Sequence, residues 1–276
     1  MDTVSNCDPK VFGAAITPMS FFVPEWTPLS AWTGHGPFAA WLVDALRPRS
    51  YVELGSHSGY SFFAVCQAAH QLGLATECTA IDTWQGDQHA GFYSENVFRL
   101  VSDQALKYGD RAKLLRMTFE EAAPHVADGS VDLLHIDGRH FYDDVKYDYE
   151  LWRSKLSSRG VVLFHDTRVR EDGFGVHKLW AELAPQFPSF EFHHSHGLGV
   201  LASGPDVPYS VKAFCLTSGN EATATAIRDA YARLGRSVLE PDKRARAPFL
   251  PNPVPMRELV RRVAKRLAES TTQRSA

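Results

Sequence analysis

Cysteine is scarce in this sequence. Its 276 residues hold four, Cys7, Cys66, Cys78 and Cys215, widely spaced and without a C-x-x-C pair. That pattern argues against a disulfide scaffold or a zinc knuckle and suits a reducing compartment. Long apolar runs are missing as well; nothing approaches the roughly 18 consecutive apolar residues that a spanning helix needs. The opening MDTVSNCDPK has no basic stretch followed by an apolar one, so no Sec-type leader is expected. There is no internal repeat, no low-complexity block and no G-x-G-x-x-G, the glycine pattern that cradles a dinucleotide pyrophosphate. Excess charge is also small, a net −3, but it is unevenly spread. Residues 212–276 carry 13 Lys/Arg against 6 Asp/Glu, and residues 1–211 carry 16 against 26. Counterion release requires clustered cations, so the acidic body disfavours nucleic acid as a partner.

What is present is a globular composition, 44% hydrophobic and 12% aromatic, long enough for one or two domains. Between Ser50 and Ser203, short apolar runs alternate with segments of helical period. The runs 50–54, 76–81, 112–116, 131–136 and 161–164 read as strands, several apolar on both faces as in a covered parallel sheet. Helical patterns lie at 35–46, 60–72, 141–156 and near 175–184. The runs 189–194 and 198–202 flank Ser195-His196-Gly197, a hairpin signal. The expectation is an α/β fold: a Rossmann-like, mostly parallel sheet finished by an antiparallel hairpin, with helices on both faces. Four regions are expected: an N-terminal helical segment over the site (1–49), the core (50–204), a helical extension (205–247), and a Pro-rich linker with a basic amphipathic tail (248–276).

In an open parallel sheet, ligands bind beyond the carboxyl ends of the strands. After the first strand comes Glu53-Leu54-Gly55-Ser56-His57-Ser58-Gly59, a small-residue turn opening a helix. Asp82 follows the second strand, where an acidic group commonly accepts from ribose hydroxyls. A glycine turn with an acidic ribose reader and no pyrophosphate cradle suggests a mononucleoside cofactor; a tight turn with a capping aspartate reads about as well. The fourth strand ends Ile136-Asp137-Gly138-Arg139-His140 and the fifth Phe164-His165-Asp166-Thr167. If these strands pair, Asp137 and Asp166 project from edges about 4.8 Å apart, where two carboxylates need a cation or a proton between them. A hard divalent cation meets that need, and His140 at the mouth of the same cleft is suited to take a proton near neutral pH. The plain alternatives are helix-capping aspartates and a buried, satisfied histidine.

The string LLHIDGRHFYDDVKYDYELWRSKLSSRGVVLFHDT, with VELGSHSGYS and AIDTWQGD before it, resembles class I S-adenosylmethionine-dependent methyltransferases. It is most similar to the metal-dependent sugar O-methyltransferase branch, of the macrocin O-methyltransferase and cephalosporin-hydroxylase-like kind, over residues 28–204. The resemblance implies a sugar O-methyltransferase of glycan or glycosylated natural-product biosynthesis that uses S-adenosylmethionine and a divalent metal, Mg²⁺ first and Mn²⁺ second. It implies that Glu53, Gly55 and Ser56 line the methionine end of the cofactor, that Asp82 binds the ribose, and that Met117 and Thr118 flank the adenine, with Ser58, Thr83 and Asp137 also at the cofactor. Asp137 and Asp166 match metal ligands and His140 the general base. Position 165, acidic in many metal-dependent relatives, is His165 here; a neutral imidazole can still ligate, with a preference for transition ions.

Aromatic faces suit sugar rings, so Trp32, His35, Trp84, Asp87 and His89 are candidates for the acceptor wall, with burial in the core equally open. His193, His194 and His196 read as rim or solvent-facing groups of the hairpin. Implied partners are a sugar or glycan acceptor, glycosyltransferases of the same pathway and a second copy of the chain. The expected setting is the cytoplasm; the basic face over residues 257–267 reads either as a solvated extension or linker remnant, slightly favoured, or as a contact with an anionic membrane. The weighed alternatives are a small-molecule, for instance phenolic, O-methyltransferase and a non-catalytic scaffold of the same fold.

Overall fold

The computed structural model describes residues 7–87, 91–171 and 173–240. The expected linker and basic tail at 248–276, and His89, lie outside these residues, as does the side chain of Asp87. Among the described residues nine strands form: β1 (Ser50–Leu54), β2 (Glu77–Asp82), β3 (Gly86–Asp87), β4 (Gly91–Phe92), β5 (Ala112–Arg116), β6 (Val131–Ile136), β7 (Leu156–His165), β8 (Ser189–Phe192) and β9 (Leu198–Ala202). The helices are α1 (Pro9–Ala15), α2 (Gly36–Leu46), α3 (Tyr60–Gln71), α4 (Glu95–Ala105), α5 (Phe119–Ala122), α6 (Tyr142–Trp152), α7 (Val176–Leu183), α8 (Tyr209–Leu216) and α9 (Glu221–Leu239). Seven strands make one sheet in the order β5-β2-β1-β6-β7-β9-β8, and β3 and β4 make a small separate ribbon. All pairings from β5 to β7 are parallel; β9 runs against both β7 and β8. This is the expected Rossmann-like, mostly parallel sheet with its antiparallel hairpin.

The period of two along each strand sorts side chains into two cores. Leu133, Val161, Leu163 and Val200 join α2, α3, α4, α8 and α9 on one face. Leu134, Ile136, Val162, Phe164 and Leu201 join α5, α6 and α7 on the other. With both faces covered, all six residues of β6 are buried, which is why that strand reads as an unbroken apolar run apart from Asp132 and His135. Those two exceptions mark opposite ends of the sheet. β7 starts five residues earlier than its apolar run suggests, because the register shifts between Val131 and Leu133 and the added stretch carries polar Ser157 and Arg159. β2 extends one residue further than expected and includes Asp82.

At the amino end of the sheet, the fully buried carboxylate of Asp132 ties three strands together. Arg49 donates its backbone N–H, Nε and Nη2 to it, each at 2.9 Å, and Ser157 donates its hydroxyl at 2.6 Å. Burial pushes this carboxyl up, but the Arg49 and Ser157 bonds outweigh it and hold it at about 2. An ordinary aspartate sits near 3.9, so the group adds stability above that pH and loses it as pH falls through about 4 to about 2. Asp132→Ala is expected to cost roughly 1–3 kcal/mol, since it leaves the buried Ser157 hydroxyl and the Arg49 backbone N–H without their acceptor, while the exposed Arg49 guanidinium returns to water. Denaturant melts of Asp132→Asn should also show a flatter loss of stability between pH 4 and pH 2 than wild type; parallel acid limbs would show that Asp132 does not anchor the sheet.

Candidate active site

At the carboxyl end of the sheet lies a cleft of about 550 Å³, within the range of small-molecule sites. Its floor begins at the loop after β1. Gly55 has φ +87°, a left-handed conformation, and a Cβ there would meet the Asp137 carbonyl oxygen at 2.1 Å. Only glycine lets the β1 loop pass this close to the end of β6, and the two are joined where Asp137 N–H donates to the Leu54 carbonyl at 2.8 Å. On the other side, Asp82 Oδ2 accepts from the backbone N–H groups of Ser56 and His57, both at 2.9 Å, while its Oδ1 accepts from Trp84 N–H at 2.7 Å. The loop is therefore fixed to strands on both flanks before α3 begins at Tyr60. Burial raises the Asp82 carboxyl against the pull of those backbone donors. Asp82 thus performs the loop-capping role and still lines the cleft, as do Gly55, Ser56, Ser58, Thr83 and Thr118.

β6 and β7 bring the candidate metal and base residues together. Ile136 pairs with Phe164, so the residues that follow leave the sheet side by side. Asp137, His140 and Asp166 offer ligand atoms within 4.8 Å of one another. His140 Nε2 lies 3.0 Å from Asp166 Oδ2 and 3.6 Å from Asp137 Oδ1. His165 Nδ1 lies 3.3 Å from Asp137 Oδ1 and 3.4 Å from Asp166 Oδ2. Burial works against both carboxylates, yet the facing imidazoles hold Asp137 and Asp166 well below the usual range. Conversely, burial lowers His140, but the hydrogen bonds and charges of the two aspartates outweigh it and raise it to about 9. His165 is raised by the same pair. Asp166 itself has φ +60°, an uncommon conformation for a residue other than glycine and one that concentrates at functional sites. The His140 ring stacks on Phe174 with centroids 4.6 Å apart, and its carbonyl accepts from Gly175 N–H at 2.7 Å.

Not every candidate reaches the cleft. Glu53 is fully buried beneath it. One of its oxygens accepts from His135 Nδ1 at 2.9 Å and also from the Tyr51 hydroxyl. Trp32 Nε1 donates to His135 Nε2 at 3.1 Å. Because an indole can only donate, His135 Nε2 accepts from Trp32 and its Nδ1 donates to Glu53. Met117 packs against the α5–α7 core rather than lining the cleft. Trp84 is core, its indole donating to the His57 carbonyl at 2.9 Å, whereas Trp32 both lines the cleft and anchors the buried chain. His35 is fully buried and held well below its ordinary pKa by burial and by neighbouring His194 and His165. On the β8–β9 connection, His193 is half-exposed, His194 bonds the Gly34 carbonyl at 3.2 Å, and His196 stands at the rim with Nδ1 3.3 Å from Asp166 Oδ1. Phe174 and His135 were not singled out from the sequence. A histidine in the apolar run of β6 was a usable signal for His135; nothing local marks Phe174.

Residues 52–167 match the family model described as a methyltransferase domain. Over 200 residues it is 58% identical to y4gI, an uncharacterized protein of Sinorhizobium fredii. That alignment takes in 72% of this chain but 22% of the relative, so the chain spans about a fifth of that protein's length. Among solved structures, it is similar to an S-adenosylhomocysteine-bound methyltransferase of Podospora anserina, with a TM-score of 0.47 and 17% identity over 72% of this chain and 89% of that one. It is also similar to the O-methyltransferase TomG of Streptomyces achromogenes, with a TM-score of 0.46 and 14% identity over 73% and 93%. The close passage of the β1 loop over β6 makes a direct test of the site's frame. Gly55→Ala is expected to lower stability by about 2 kcal/mol or more, seen as a drop in urea midpoint at unchanged slope. An unchanged midpoint would contradict the contact.

Proposed function

We propose that the protein is an S-adenosylmethionine-dependent O-methyltransferase that methylates a sugar hydroxyl in glycan or glycosylated natural-product assembly, with a divalent cation and His140 as the proton acceptor. The observation that carries this reading is the meeting, in one cleft, of the glycine-turn floor with Asp137, His140 and Asp166. The donor set fits a divalent cation: the part-buried Asp137 and buried Asp166 carboxylates, both held well below the usual range, sit at adjacent strand ends and call for positive charge between them. The cleft fits a nucleoside cofactor by volume and by its small-residue floor at the start of α3.

S-adenosylmethionine supplies an electrophilic methyl group. A divalent cation held by Asp137 and Asp166 would lower the acceptor hydroxyl's pKa and offset the carboxylate field that keeps His140 protonated. His140 Nε2, which faces both aspartates, is the atom that accepts the hydroxyl proton. Phe174 stacks on the His140 ring, and Trp32 lines the same cleft. Methyl transfer then depends on holding the reacting atoms about 3–3.5 Å apart, a task of positioning. The aromatic wall of Phe174, Phe119 and Tyr93 also favours a flat acceptor, so a phenolic substrate is the second reading. The proposed setting is cytoplasmic, beside glycosyltransferases of the same pathway; the buried thiols Cys66, Cys78 and Cys215 suit a reducing compartment.

Calorimetric titration should show saturable S-adenosylhomocysteine binding to the purified protein; a folded protein that binds none refutes the cofactor reading. Asp166→Asn keeps the left-handed backbone accessible and is expected to retain that binding while losing methyl transfer. His140→Ala should retain binding and lose about 10²–10⁴-fold in turnover across an acceptor screen of sugars and phenols. Near-wild-type turnover would remove His140 as the proton acceptor.

A further inference from the structure

The geometry around His165 points to the identity of the cation. We propose that His165 Nδ1 is a ligand beside Asp137 and Asp166, making a mixed nitrogen and oxygen seat that takes a borderline transition ion such as Mn²⁺, Fe²⁺, Co²⁺ or Zn²⁺ in preference to Mg²⁺. The inference rests on the reading of Asp137 and Asp166 as a cation site and adds what fills it.

Three observations carry it. The first is the direction of the His165 ring. Its Nε2 lies 3.0 Å from the Ser195 carbonyl, which can only accept, so Nε2 carries a proton and Nδ1 faces Asp137 and Asp166. Histidines that bind metals are typically fixed in this way, the other ring N–H donating to a carbonyl or carboxylate. The second is how firmly that carbonyl is placed. Ser195 (φ +47°) and His196 (φ +68°) are both left-handed, and the same carbonyl is engaged by the buried His35 Nε2 at 3.2 Å. A strained turn, braced from the α2 side, is spent on orienting one imidazole. The third is spacing. Donors bound at about 2.0–2.2 Å around one tetrahedral ion stand roughly 3.4 Å apart, and about 3.0 Å apart at octahedral right angles. His165 Nδ1 stands 3.3 and 3.4 Å from the two carboxylate oxygens, a spacing that one ion can span. Imidazole nitrogen suits the first-row transition ions, and Mg²⁺ favours an all-oxygen shell.

The test uses full-length protein dialysed against chelator and titrated with Co²⁺, Mn²⁺ and Mg²⁺ as separate probes. Wild type should bind Co²⁺ at least tenfold more tightly than Mg²⁺, with visible d–d absorption, and pulsed EPR of the Mn²⁺-loaded protein should show histidine nitrogen coupling. His165→Asp, which restores an oxygen donor, should lower the Co²⁺-to-Mg²⁺ affinity ratio at least tenfold and weaken that coupling. S-adenosylhomocysteine binding serves as the check that this variant is folded. An unchanged ratio in a folded His165→Asp protein, or no nitrogen coupling in wild type, overturns His165 as a ligand while leaving the cation reading intact. No binding of any of the three ions to wild type overturns both.

Discussion

Two aspartates leave the ends of adjacent parallel strands side by side, and their like charges need a cation between them. Asp137 follows β6 and Asp166 follows β7, and the pairing of Ile136 with Phe164 leaves no freedom to separate them. Each is held anionic by imidazoles rather than by arginine or lysine. That choice of counter-charge matters physically. An arginine would neutralise the pair permanently, whereas His140, held at about 9 by the two carboxylates, can give up its proton once another cation takes its place beside them. The local arrangement follows from this: Phe174 stacking on the His140 ring, the turn at Ser195 orienting His165, and the left-handed backbone at Asp166.

The sheet divides its work between its two ends. At the amino end, Asp132 is paired with Arg49 and Ser157 in bonds of 2.6–2.9 Å and serves only to clamp β1, β6 and β7. At the carboxyl end, the same strands finish in groups with competing partners. A carboxylate near pKa 2 with a dedicated guanidinium has nothing to exchange. A histidine at about 9 between two carboxylates has a proton whose affinity depends on what else those carboxylates hold. Both are buried aspartate sites on one strand pair, and the partner decides which is structural and which is chemical.

Much of this was legible in the sequence because a covered parallel sheet writes itself as short apolar runs with polar residues only at their ends. The bounds of β1, β5, β6 and β9 follow directly from that contrast. β7 was read short because Ser157 and Arg159 are polar for the sake of Asp132, a partner 25 residues upstream of Ser157 that no local pattern reveals. α4 was not read because, of its eleven residues, only Val101, Gln104 and Ala105 are buried. At the site, Asp137, His140 and Asp166 were legible as strand-end residues. The separation of Glu53 from the cleft was not. Whether a strand-end carboxylate faces the ligand or the core depends on His135 and Trp32, 82 residues downstream and 21 upstream, and only the fold brings them to it.

The reversed strand explains why the histidine-rich turn belongs to the site. Because β9 is antiparallel to both of its neighbours, β8 runs in the same direction as β7, and its far end lies at the carboxyl edge of the sheet with β6 and β7. The five residues joining β8 to β9 must therefore turn over the cleft. A turn this short forces left-handed conformations at Ser195, His196 and Gly197, and Gly197 has the Thr167 hydroxyl 2.7 Å from where a Cβ would stand. Asp166 N–H donates to the Gly197 carbonyl at 3.1 Å and Arg168 N–H to the His196 carbonyl at 2.9 Å, so the turn is stitched onto the segment that carries Asp166. The antiparallel hairpin thus supplies the backbone carbonyl that aims His165 and the bonds that hold Asp166 in its strained conformation, which makes it part of the site's machinery as well as the edge of the sheet.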